Sequence, residues 1–109
     1  MTDKMLVLTT VDKEDLAQAL ATELVERRLA ACVNIFPLGA SIYRWKGQVH
    51  RDREYMLLIK TSAHLFKDVR DTIRELHTYE LPDVIALPIA VADESVLEWI
   101  SSTVRPREA

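Results

Sequence analysis

One cysteine, Cys32, occurs among the 109 residues, so no disulfide can close within the chain. That scarcity fits a reducing compartment. Glycine is nearly as rare. Gly39 and Gly47 are the two present, and no glycine-rich loop exists to cradle a phosphate with backbone amides. An acylphosphatase-like hydrolase loses its basis there, and no Ser/His/Asp order stands out, so no enzyme is expected. Basic residues are outnumbered, with 14 Lys and Arg against 17 Asp and Glu and a net charge of −3. Binding nucleic acid through its phosphates normally takes a basic domain, and so does lying on an anionic membrane. No run approaches the roughly 20 apolar residues that cross a bilayer. The opening MTDKMLVLTT holds only about five apolar residues in a row, with no small-residue cleavage site after them, and does not read as a signal peptide. The expectation is a single cytoplasmic domain over residues 1–109, with no nucleic-acid or membrane partner.

What is present is strong periodicity. Residues 5–11 form a short apolar, β-branched run that reads as a buried strand. Asp12 stands where an N-cap belongs, with Glu14 and Asp15 facing the positive helix end. Leu16, Leu20 and Leu24 at fourfold spacing then mark an amphipathic helix ending near Arg28. Residues 31–45 read as a long strand interrupted at Pro37-Leu38-Gly39, where a bulge or bend is expected. Lys46-Gly47 supplies a hairpin turn and residues 48–60 return. Ser62 is placed to cap a second helix carrying Leu65, Val69, Ile73 and Leu76, with His77 at its end. Residues 84–91 alternate as a fourth strand, residues 94–104 form a terminal helix, and the tail RPREA is expected to fray. The order βαββαβ plus a helix, with right-handed crossovers, predicts an α+β ferredoxin-like sandwich with a long hairpin between its second and third strands.

A sandwich with one wet sheet face should alternate apolar and polar residues. The stretch YMLLI at 55–59 does not: Tyr55, Leu57 and Ile59 point one way, Met56 and Leu58 the other. Val33 and Ile35 likewise oppose Cys32 and Phe36. Wetting such a patch forgoes burial at about 25 cal/mol per Å². Either the terminal helix folds over this face or other copies of the chain cover it. The length of the hairpin favours a projecting arm that meets a neighbour. The interface candidates are Tyr43, Trp45, Tyr55, Met56 and Leu58.

Five blocks carry a family likeness: AACVNI at 30–35, S-x-Y-x-W-x-G at 41–47, EYMLLIKT at 54–61, HTYELPD at 77–83 and LEW at 97–99. The chain resembles the divalent-cation tolerance (CutA) proteins over nearly its whole length. The resemblance implies a homotrimer, similar in architecture to PII signalling proteins, whose intersubunit clefts gather the motif residues. It implies copper or another divalent cation as the ion encountered, and no established reaction. A metal site proposed for such proteins uses a cysteine late in the first strand and adjacent histidines. Here Thr9 and Leu76 stand at two of those positions, and His77 alone matches.

Each candidate carries a plainer reading beside the functional one. His77 is a metal ligand, or a polar residue at the negative end of the second helix. Cys32 is a thiolate ligand, or a small buried hydrophobe. Lys60, Glu54, Tyr79 and Glu80, with Trp45 nearby, form a cleft for a small anion, or Lys60 pairs with an acid while Trp45 anchors a neighbour. His50 and His64 are expected to be solvated. An RNA-binding module of the same strand order needs stacking aromatics and glycine in its third strand, and RDREYMLLIK offers one tyrosine and no glycine. The reading that results is a trimeric metal-response protein. The alternative is a PII-like sensor or scaffold with a small ligand in its clefts.

Overall fold

Strands form where β-branched and leucine residues run together, and helices where leucines recur every third or fourth position. The computed structural model describes residues 1–108. Its elements are β1 (Lys4–Val11), α1 (Glu14–Glu26), β2 (Cys32–Trp45), β3 (Gln48–Ser62), a 3₁₀ turn (Ala63–Leu65), α2 (Phe66–Leu76), β4 (Ile85–Pro88) and α3 (Glu94–Thr103). The sheet is antiparallel in the order β2-β3-β1-β4, the ferredoxin-like α+β arrangement that the sequence predicts.

Register decides which side chains share a face. Val7 lies opposite Ile59, and Val33 opposite Ile59 on its other side. These residues face the helices, where Val7, Val11, Leu57 and Ile59 pack with Leu20 and Leu24 of α1 and with Val69 and Ile73 of α2. Burial of each such side chain contributes roughly 1.5–3 kcal/mol. Ile100 of α3 and Val104 just after it join the same cluster, so α3 docks on the helix side through Ile100, while its Val96 and Trp99 stay exposed. On the other face, Leu8 lies opposite Leu58, Thr10 opposite Met56, and Phe36 opposite Met56. Phe36, Ile85 and Leu87 remain 40%, 48% and 46% exposed there. We call this the open face.

β3 pairs with β1 only as far as Tyr55. Beyond that point β2 and β3 continue alone to the turn, forming a two-stranded arm. At about 3.3 Å per residue the arm projects roughly 20 Å. It stretches the molecule to 45 × 26 × 22 Å, with a radius of gyration of 14.5 Å. A compact chain of this length would have a radius of about 13 Å. The expected irregularity falls between Pro37 and Gly39, where the register shifts and Leu38 is the extra residue. Lys46 and Gly47 both take positive φ, 50° and 79°, which is the mirror-image turn that suits strand twist. The arm's two faces differ in charge. Arg44, Arg51 and Arg53 share one with Ile42 and Val49, while Asp52 and Glu54 share the other with Tyr43, His50 and Trp45.

Several local expectations shift. Asp12 is not the cap of α1. β1 holds register to Val11, the cap position passes to Lys13, and no side chain bonds there. Ser62 still pairs with Lys4 in the sheet, and its buried Oγ makes no hydrogen bond among the described residues. β4 is four residues long rather than eight: the Ile89 amide still donates to the Lys4 carbonyl at 3.0 Å, but β1 begins at Lys4 and offers no partner strand to the later positions. The tail expected to fray is held at its start: the Arg105 amide donates to the Arg28 carbonyl at 2.9 Å, and the Arg105 carbonyl meets His64 Nε2 at 2.9 Å. That contact also removes His64 from the freely solvated residues. Ala109, the last residue of that tail, lies outside the described residues.

Candidate functional site

The motif residues meet at the base of the arm, where β1 ends, β3 leaves the sheet and α2 stops. α2 ends at Leu76, and the His77 amide closes it by donating to the Ile73 carbonyl at 2.9 Å. The His77 ring turns away from the helix end. Its Nε2 lies 2.7 Å from the Thr10 carbonyl and its Nδ1 lies 3.1 Å from the Tyr79 amide. A carbonyl only accepts and an amide N–H only donates, so the ring is satisfied in a single neutral tautomer, with the proton on Nε2. The rings of His77 and Tyr79 sit 4.4 Å apart between centroids.

Tyr79 then reaches β3. Its hydroxyl donates to Glu54 Oε2 at 2.7 Å. Glu54 is only 6% exposed, and this bond supplies the partner that a buried carboxylate requires. Burial first, and the Glu54 carboxylate second, push the Tyr79 phenol well above its ordinary range. One step up the arm, Tyr43 donates to Asp52 and stacks on His50 at 5.4 Å. The Asp52 bond is the main cause that raises the Tyr43 phenol. At the tip, Lys46 Nζ meets Glu80 at 3.1 Å and stands 5.7 Å from the Trp45 ring. Trp45 is half-buried.

Thus Glu54, Tyr79 and His77 do gather in one place, while the Glu80 carboxylate is drawn to Lys46 at the arm's tip. Lys60 does not join them. It sits on the open face opposite Cys32 and Leu6, six residues from Glu54 along β3, and forms no ion pair among the described residues. The anticipated pairing of Lys60 with Glu54 or Glu80 is therefore replaced by Tyr79–Glu54 and Lys46–Glu80. Tyr55 also separates from its group: it packs against the helix-side core, while Met56 and Leu58 occupy the open face. Cys32 is not a core hydrophobe. It is half-buried on the open face, with Sγ 3.8 Å from Asn34 Oδ1.

The donor set for a metal does not come together within one chain. Both His77 nitrogens are occupied, and Leu76 offers none. Thr9 is 1% exposed beneath the helices, with an Oγ1 that has no partner among the described residues. Among those residues no three of His, Cys, Asp and Glu converge on an ion-sized point. Asp52, Lys46 and the Thr10 carbonyl escaped the sequence reading. Only Asp52 had a signal, its place across the arm from Ser41, beside the tyrosine of the S-x-Y block.

Residues 5–103 match the family model described as CutA1 divalent ion tolerance protein. The chain belongs to the CutA1 divalent ion tolerance family. It is 48% identical over 94 residues to the divalent-cation tolerance protein CutA of Thermus thermophilus, covering 86% of this chain and 91% of that one. The human protein CutA is 42% identical over 91 residues, and there the match spans 84% of this chain and 51% of the human protein. Among solved CutA structures, the Thermus protein superposes with a TM-score of 0.91 at 44% identity, covering 94% of this chain and 99% of that one. A protein of Archaeoglobus fulgidus, described as a periplasmic divalent cation tolerance protein CutA, gives 0.91 at 34% identity, covering 94% and 99%. The CutA description names a tolerance and no reaction. Among the described residues no helix is long and apolar enough to cross a membrane.

Proposed function

We propose that this CutA chain serves in the response to divalent cations as a closed assembly of three copies, without catalysis. The open sheet face is the observation that supports it. Leu8, Met56 and Leu58 lie half-buried there among the more exposed Phe36, Ile85 and Leu87, and no helix of the chain takes the patch into the core. The arm adds to the argument, since a two-stranded ribbon standing alone in water is marginal at best. In the assembly Met56, Leu58, Tyr43 and Trp45 are the contact residues. Copper or another divalent cation draws its ligands from more than one copy, because one chain's His77 is committed to Thr10 and Tyr79. A small ligand held between copies is the second reading, favoured by the Lys60 amine on the open face, which has no ion-pair partner among the described residues. The single free thiol favours the cytoplasm, which cell fractionation checks.

Sedimentation equilibrium at micromolar protein is expected to return three times the chain mass, and a dispersed monomer overturns the proposal. Calorimetry with Cu(II) is expected to give the same affinity for native protein and His77→Ala. A loss of about tenfold or more in the variant would restore His77 as a ligand.

A further inference from the structure

α2 and the loop after it border an open cavity of about 440 Å³, within the range of small-molecule sites. Arg70 and Arg74, one helical turn apart, form one wall, and Tyr79, Leu81 and Pro82 form the other, with Glu80 at the rim. The charges do not all count equally. Arg70 is occupied by Asp71, with Nε and Nη2 at 3.1 and 3.0 Å from Oδ1. Glu80 is met by Lys46 at 3.1 Å. Arg74 makes no hydrogen bond and no ion pair among the described residues, which leaves one uncompensated guanidinium at the cavity.

The opposite wall is apolar. The Tyr79 hydroxyl is spent on Glu54, so the ring presents its carbon surface beside Pro82 and a 66% exposed Leu81. This wall is also fixed in place, through Tyr79 to Glu54 and His77, and through His77 to the Thr10 carbonyl. A preformed wall lowers the ordering cost of binding.

We propose that this cavity binds a small monocarboxylate with an apolar or aromatic body. The carboxylate lies on the Arg74 fork, whose planar geometry matches it, and the body lies against Tyr79, Leu81 and Pro82. A dianion is disfavoured, because one guanidinium is free and Glu80 stands at the rim. Both walls come from a single chain, and no metal takes part.

Titrating the native protein with naphthoate, naphthamide and acetate by calorimetry and amide NMR tests it. Naphthoate is expected to saturate, with the uncharged amide and the bodiless acetate each weaker by about tenfold or more. Shifts should cluster at Arg74 and residues 79–82. Arg74→Gln should lose about tenfold while Arg74→Lys keeps part of the affinity. Leu81→Asp, which sets a like charge beside the ligand, should lose as much. A tripeptide ending in tryptophan offers the same chemistry on a chain, and its affinity relative to naphthoate tells a peptide terminus from a free acid. Failure of naphthoate to saturate, equal binding of naphthamide, or native-like binding by Arg74→Gln would overturn the site.

Discussion

Thr9 is a hydroxyl without a partner among the described residues, set in the helix-side core beside Val7, Val11 and Leu57. Removing a buried, unsatisfied polar atom while keeping the shape should relieve a desolvation cost. Thr9→Val is therefore expected to raise stability by about 1 kcal/mol in chemical denaturation. Tyr79 is the opposite case, a hydroxyl whose partner depends on it. Tyr79→Phe strands the buried Glu54 carboxylate and should cost about 1–3 kcal/mol. The same bond sets a pH dependence. The Tyr79 phenol is raised in the folded state, so the folded chain keeps a proton that the unfolded chain releases near pH 10. The contribution is complete below about pH 10 and is lost as pH rises through the higher folded value. Thermal unfolding followed across that range should show stability falling in native protein, and falling less steeply in Tyr79→Phe.

At the scale of elements, the arm rests on its turn. Gly47 takes φ of 79°, where a Cβ is strained, so Gly47→Ala should cost about 1 kcal/mol even though open space surrounds the position. Equilibrium unfolding measures it. The turn, the bulge at Pro37 and the apolar periods of α1 and α2 were legible because each is a local rule acting on adjacent residues. The edge strand was less so: alternation ran on through residues 84–91, but pairing needs a partner strand, and β1 begins only at Lys4, whose carbonyl takes the Ile89 amide. The site was half legible. His77, Tyr79 and Glu54 were singled out, but their connection spans 67 residues from His77 to Thr10 and 25 from Tyr79 to Glu54, and no spacing rule reaches that far. Lys60 misled for a related reason. It shares a face with Glu54, and a shared face along a strand is not proximity when five residues intervene.

For the whole molecule, the open face decides whether one copy is sufficient. An acid placed at its centre should keep copies apart while leaving the helix-side core alone. Leu58→Asp is expected to give a folded, smaller species by light scattering, with its far-UV circular dichroism kept and its melting temperature lowered. An unchanged mass would move the contact surface elsewhere. Met56→Asp should act in the same direction, whereas Tyr55→Asp, directed into the core, should unfold the chain instead.

The arm carries three guanidiniums on one side and two carboxylates on the other, so across its thickness it behaves as a small electric dipole. Identical arms repel when laid like side to like side and attract when each offers its cationic side to the next one's anionic side. A rotation repeated in one sense meets that condition at every junction, whereas a twofold pairing joins like to like. For the three-copy assembly proposed above, raising the ionic strength should accordingly slow the rate at which diluted subunits reassociate more than it weakens the assembled state.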